Sequence, residues 1–163
     1  MATFNSAGSG NANADATWTE AGQPAAGDHV IIASGHTVTL TAAEAWGSVY
    51  INGGTIAGGG YTLTLNDGGN ATIFDQDGTI SGTLNVDITG TTSRQIDFGG
   101  SGTVNNLTIT GNATFTCIDS LLLGGNLTIT AGSTVTTGSN HALTVTGDVS
   151  VTGTLTGNAS AIS

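Results

Sequence analysis

Three segments in the second half of this chain are nearly one phrase repeated: Asn106-Leu-Thr-Ile-Thr110-Gly, Asn126-Leu-Thr-Ile-Thr130-Ala and Ala142-Leu-Thr-Val-Thr146-Gly. Each alternates apolar with polar residues, the mark of a strand with one buried face. Earlier pairs continue the pattern: Val49/Ile51, Leu63/Leu65 and Leu84/Val86 precede Leu107/Ile109, Leu127/Ile129 and Leu143/Val145, at steps of 14, 21, 23, 20 and 16 residues. Further short runs lie between them, bounded by Gly, Asn or Asp. A coil of about 20 residues holding two or three short strands is the turn of a parallel β-helix, where like strands stack about 4.8 Å apart. The reading is therefore an all-β chain, a parallel β-helix (β-solenoid) of about six rungs forming a rod about 30 Å long. Leu107, Leu127 and Leu143 should form one interior ladder and Ile109, Ile129 and Val145 the next, with Thr outside. A β-sandwich is the competing all-β architecture, but hairpin signatures are sparse.

Residues 1–26 differ in texture. They are small and polar, with Phe4 and Trp18 as large apolar anchors. They read as an N-terminal arm or cap with little regular structure, and residues 27–163 as the parallel β-helix domain. Phe4 and Trp18 must bury against something, which makes them the expected assembly residues. Trp18 is expected to seal the first rung beside Val30 and Ile32, and the stretch before Ala14 to reach a neighbouring chain.

Composition narrows function. Eleven Asp and Glu face a single cation, Arg94. Phosphate binding needs Lys or Arg, so nucleic acid is excluded as a partner and an anionic membrane surface is disfavoured. No apolar run is long enough to span a bilayer, so no membrane insertion is expected. No signal peptide is recognisable after Met1. Cys117 is alone and sits in an apolar alternation, which reads as a buried core thiol.

Trp18-Thr-Glu-Ala-Gly-Gln-Pro-Ala-Ala-Gly-Asp-His-Val-Ile-Ile-Ala33, followed by Gly35-His-Thr-Val-Thr-Leu40, resembles the opening of many β-helical surface proteins. The later Gly-Asn-Leu-Thr-Ile-Thr units resemble those of phage fibre, spike and capsid decoration proteins and of bacterial adhesins. Together with the architecture, this resemblance points to a non-enzymatic protein on the exterior of a bacteriophage virion, and the missing export signal fits a protein that reaches the outside by host lysis. The resemblance implies a homo-oligomer, with a trimer favoured, and capsid or tail proteins of the same virion as partners. A host-surface glycan is a further partner it allows. The alternative is a bacterial extracellular adhesin or surface-filament subunit, and the third reading is a carbohydrate-active enzyme.

Candidate sites are few, and no catalytic residue or cofactor is assigned. Asp75-Gln-Asp77-Gly78 resembles the start of a calcium loop, but the twelfth position from Asp75 is Val86 rather than Glu. Asp75 and Asp77 are thus weak calcium candidates, and a plain Asp/Gly turn explains them more simply. Asp97 lies about one coil further on, so it could approach both. Carboxylates about 5 Å apart suit retaining glycoside hydrolysis, and Arg94 nearby would suit a lyase. A surface ion pair of Arg94 with Asp97 or another acid is the simpler expectation. His29, His36 and His141 are dispersed and read as turn or surface residues. Asn70, Asn106, Asn112, Asn126 and Asn158 head glycosylation sequons but read as turn and strand-start residues.

Overall fold

The computed structural model describes residues 1–138, 141–158 and 162–163. It is a parallel β-solenoid of about six turns. The chain begins with two short strands, β1 (Thr3–Asn5) and β2 (Gly10–Asn11), and a 3-10 turn at Asp15–Thr17. The next turns each carry three strands: β3 (His29–Ala33), β4 (Thr37–Thr39), β5 (Glu44–Trp46); β6 (Ser48–Asn52), β7 (Thr55–Ala57), β8 (Thr62–Leu65); and β9 (Thr72–Gln76), β10 (Thr79–Ser81), β11 (Asn85–Ile88). The following turn has β12 (Arg94–Ile96) and β13 (Leu107–Ile109). Then come β14 (Thr114–Cys117), β15 (Leu121–Leu123), β16 (Leu127–Ile129); β17 (Thr134–Thr136), β18 (Leu143–Val145), β19 (Val149–Val151); and finally β20 (Thr154–Thr156).

These strands stack into three faces. The first is one eight-stranded sheet, β1-β3-β6-β9-β12-β14-β17-β20. The second is a four-stranded sheet, β10-β7-β4-β2, continued by the pair β15-β18. Where the second face lacks a strand in the β12 turn, the parallel bridges Thr79–Ser101 and Val104–Leu123 carry the stacking across. The third is β19-β16-β13-β11-β8-β5. All strand pairs of these sheets are parallel.

The core is the inward half of every alternation. On the third face Leu63, Val86, Leu107 and Leu127 stack in register and Val149 follows, beside Leu65, Ile88, Ile109, Ile129 and Val151. Leu143 does not belong to this ladder, contrary to the sequence expectation. Strand β18 lies on β15, pairing Leu143 with Leu121 and Val145 with Leu123 on the second face. Val49 and Ile51 likewise stack on Val30 and Ile32 on the first face, not with Leu63 and Leu65. Every face uses the same alternating phrase, so likeness of sequence does not decide which face a strand joins.

One corner is built on glycine because the backbone stacks too closely for a side chain. A Cβ on Gly78 would fall on the carbonyl oxygen of Gly54, and one on Gly100 would fall on that of Gly78. The neighbouring column is asparagine. Asn85 Oδ1 accepts from Asn106 Nδ2 at 2.9 Å, Asn106 Oδ1 from the Asn126 amide at 2.8 Å, and Asn126 Oδ1 from the Asp148 amide at 2.8 Å. This gives Asn106 and Asn126 the structural role expected of them.

Residues 1–26, expected as an arm or cap, are tied to the solenoid by strand pairing. Phe4 on β1 sits opposite Val30, and β2 pairs with β4, so this segment forms a partial first turn on the body of the solenoid. Phe4 and Trp18 are buried, their rings edge to face at 6.3 Å, and Trp18 meets Trp46 in the same manner at 6.1 Å. The Trp18 indole donates to the Ala12 carbonyl at 2.9 Å. The stretch before Ala14 is paired within its own chain through β1 and β2. At the other end β19 is exposed along its length, with Val149 and Val151 open to solvent.

Candidate functional site: an acidic cluster on the eight-stranded face

Where β12 stacks on β9, the 22-residue step from Asp75 to Asp97 matches the coil length, and pairing of Phe74 with Ile96 brings the two acids onto neighbouring rungs. Asp75, Asp77 and Asp97 each offer a carboxylate oxygen, and these lie within 4.8 Å of one another. The Tyr50 hydroxyl, one rung earlier, donates to Asp77 at 2.9 Å. Asp97 accepts from the Gly99 amide at 2.9 Å.

Burial, then the charges of Asp97 and Asp77, push the Asp75 carboxyl up to about 6. Like charges this close resist joint ionisation. Tyr50 is raised as well, first by its bond to Asp77. The donor set is all oxygen, as a hard cation prefers, but it supplies three carboxylates where calcium takes six to eight oxygens. Among the described residues it is the one group of three or more His, Cys, Asp or Glu so arranged.

Two shallow hollows flank the cluster. One of about 220 Å³ is lined by His29, Tyr50, Asn70, Ala71, Thr72 and Asp75. Its neighbour of about 380 Å³ shares Ala71 and is lined by Ser93, Arg94, Gln95, Thr114 and Thr116. Arg94 is committed elsewhere: its Nη2 and Nε reach the same oxygen of Asp67 at 2.7 and 2.8 Å. The ion pair expected of Arg94 therefore forms with Asp67. Asp67 takes φ of 86°, a left-handed conformation in which Asp is enriched.

The histidines do not meet. His29 Nδ1 bonds Ser48 Oγ at 2.9 Å and His36 Nδ1 bonds Ser6 Oγ at 2.8 Å, each on a neighbouring rung. Asn70 donates to the same Ser48 hydroxyl at 2.8 Å. Cys117 is in the core, where burial pushes its thiol up to about 11. Sequence reading did not single out Tyr50 or Trp46. Tyr50 reaches Asp77 over 27 residues and no local motif marks it.

The Asp75 shift has a measurable consequence. Its folded value lies above that of an unfolded-chain aspartate, so the native state holds the proton more tightly. The stabilisation is complete below about pH 4 and is lost as pH rises through about 6. Urea midpoints should therefore fall between pH 4 and 7. Asp75→Asn should flatten that fall and raise the midpoint at pH 7; parallel wild-type and variant profiles would show that Asp75 titrates normally.

The site and the fold define a parallel β-solenoid with a partly buried acidic cluster on its eight-stranded face. No protein-family model matches the chain, and neither a curated protein nor a solved structure matches it.

Proposed function

We propose that this chain is a non-enzymatic structural protein on the exterior of a bacteriophage virion, either a capsid decoration protein or a short fibre or spike. The observation that carries this reading is the continuous eight-stranded parallel sheet from β1 to β20, with a register shift where β12 meets β9. Each inner strand is hydrogen-bonded along both edges, so opening one rung breaks two ladders. That resists local unfolding and proteolysis, which suits a protein exposed outside a cell. The acidic surface keeps such strands soluble and discourages edge-to-edge association. A homotrimer docked on capsid or tail proteins is the assembly that belongs with this reading.

The experiment is mass spectrometry of purified virions, together with immunogold labelling of intact particles by an antibody to the recombinant protein. Peptides in the particles and label on their surface are expected. Recovery only from the bacterial envelope fraction would overturn the reading in favour of an adhesin or surface filament.

One observation favours a second reading. The spacing of Asp75 and Asp97, with Asp75 raised toward neutrality, fits the paired carboxylates of a retaining glycoside hydrolase. Against it, the hollows are open and Arg94 is tied to Asp67. The expected result is no cleavage of a polysaccharide panel. A cleavage activity that vanishes in both Asp75→Asn and Asp97→Asn would replace the structural reading.

A further inference from the structure

Beyond the acidic cluster, the eight-stranded face changes character. From β14 onward its outward residues are all threonine: Thr114 and Thr116, then Thr134 and Thr136, then Thr154 and Thr156. They are in strict register, Thr114 against Thr134 against Thr154 and Thr116 against Thr136 against Thr156. The result is a two-by-three lattice of hydroxyls and methyls, with Phe115, Val135 and Leu155 between the columns as the inward rung. We propose that this threonine lattice is an ice-binding surface.

The argument is one of matched spacing. Parallel strands place the rows about 4.8 Å apart, and alternate residues along a strand are about 6.6 Å apart. In ice each oxygen bonds tetrahedrally to four others at about 2.75 Å. Tetrahedral geometry then sets second neighbours about 4.5 Å apart and the hexagonal stacking repeat at about 7.3 Å. The misfit is about 0.3 Å along the solenoid axis and about 0.7 Å across it. Over three turns the axial error grows only to about 0.6 Å, small enough for each hydroxyl to keep a lattice water in bonding range.

The chemistry agrees with the spacing. Threonine is stiff at χ1, so a column of threonines stacked in register holds its hydroxyls alike. Among the described residues, only Thr136 of the six has its hydroxyl engaged within the chain, by Asn158 Nδ2 at 2.7 Å. The methyls take no hydrogen bond, which leaves neighbouring waters bonded to one another. Charge would pull those waters into a different hydration shell, and here it borders the lattice on one side: Arg94 lines a hollow with Thr114 and Thr116 but is neutralised by Asp67, and from Phe98 to Gly147 the chain has one Asp, Asp119, and no Glu, Lys or Arg. The third face also carries threonine but differs in both respects. Asp87 interrupts its column between Thr64 and Thr108. Its outer threonines Thr89, Thr130 and Thr152 bond carbonyls of the preceding rung at 3.4, 3.2 and 3.4 Å.

The proposal is independent of the virion reading. Its test is partition of the full chain into slowly grown ice, with thermal hysteresis measured on the same samples. Wild-type protein should enrich in the ice and shape the crystals. Thr134→Lys, at the centre of the lattice, should fall to the level of a protein that ice excludes. Thr55→Lys on the second face should behave as wild type. Both positions face outward, so circular dichroism and melting should stay unchanged in both. Exclusion of the wild-type protein from ice would overturn the proposal, as would equal partition of wild type and Thr134→Lys. Binding to insoluble polysaccharide or self-association through this face, without ice partition, would overturn it too.

Discussion

Leu127→Asp is expected to lower stability by more than about 4 kcal/mol, while Leu122→Asp, five residues away in a Leu-Leu-Leu run, should change it by less than about 0.5 kcal/mol. Leu127 is fully buried and stacked between Leu107 and Val149 on the third face. The substitution forfeits about 1.5–3 kcal/mol of burial and places an unpaired carboxylate among apolar rungs, which adds several more. The side chain cannot escape by rotation, because the strand is pinned by hydrogen bonds to β13 on one side and β19 on the other. Leu122 points the other way on its strand and is 50% exposed. Urea denaturation followed by far-ultraviolet dichroism distinguishes the two. A Leu127→Asp protein with a near wild-type midpoint would mean that the alternation faces the other way, and the whole register would be wrong. Because each rung touches chiefly its neighbours, the loss should begin in the turns around β16 rather than spread evenly. Hydrogen exchange should therefore rise first from β13 to β19.

That contrast also marks what the sequence makes legible. The choice between inward and outward follows from the alternation itself, so Leu63, Val86, Leu107 and Leu127 can be read as buried from residues alone. The assignment of a strand to a face cannot. Leu143-Thr-Val145 repeats the phrase of Leu127-Thr-Ile129, yet it stacks on Leu121 to Leu123, because the chain turns a corner after β17 before it reaches the second face. The 16-residue step between those two phrases, shorter than a full coil, was the available signal. Residues 1–26 were illegible for another reason. Strands of two and three residues are too short to show a period, and their burial depends on Phe4, Ala12 and Trp18 meeting a body the local sequence does not contain. The acidic cluster was half legible. Asp75 and Asp97 are one coil apart, so their meeting follows from the repeat. Tyr50 and the Arg94–Asp67 pair do not follow from it, since side-chain reach and the left-handed backbone at Asp67 decide them.

Removal of residues 1–13 should damage the fold itself, not merely assembly. The segment contributes β1 and β2, the buried Phe4 and Ala12, and the carbonyl that accepts the Trp18 indole. Its loss strips the covering from Trp18 and the rung of Val30 and Ile32. It also leaves the β3 edge unpaired, with amides that β1 now satisfies. Trp18→Ala is the sharper version. It deletes a ring that bridges Phe4 and Trp46 edge to face, at a cost of about 3–5 kcal/mol for a buried aromatic. Either change should shift tryptophan emission to the red, since Trp46, fully buried now, would meet water. A milder control isolates the hydrogen bond: Trp18→Phe keeps most of the packing, loses the bond to Ala12, and should cost only about 1–2 kcal/mol. A truncated protein with unchanged melting temperature and unchanged emission would show that residues 1–13 are dispensable to the core. In that case the contact of Trp18 with Trp46 would hold without Phe4, and the first turn would be an appendage free to serve an interface.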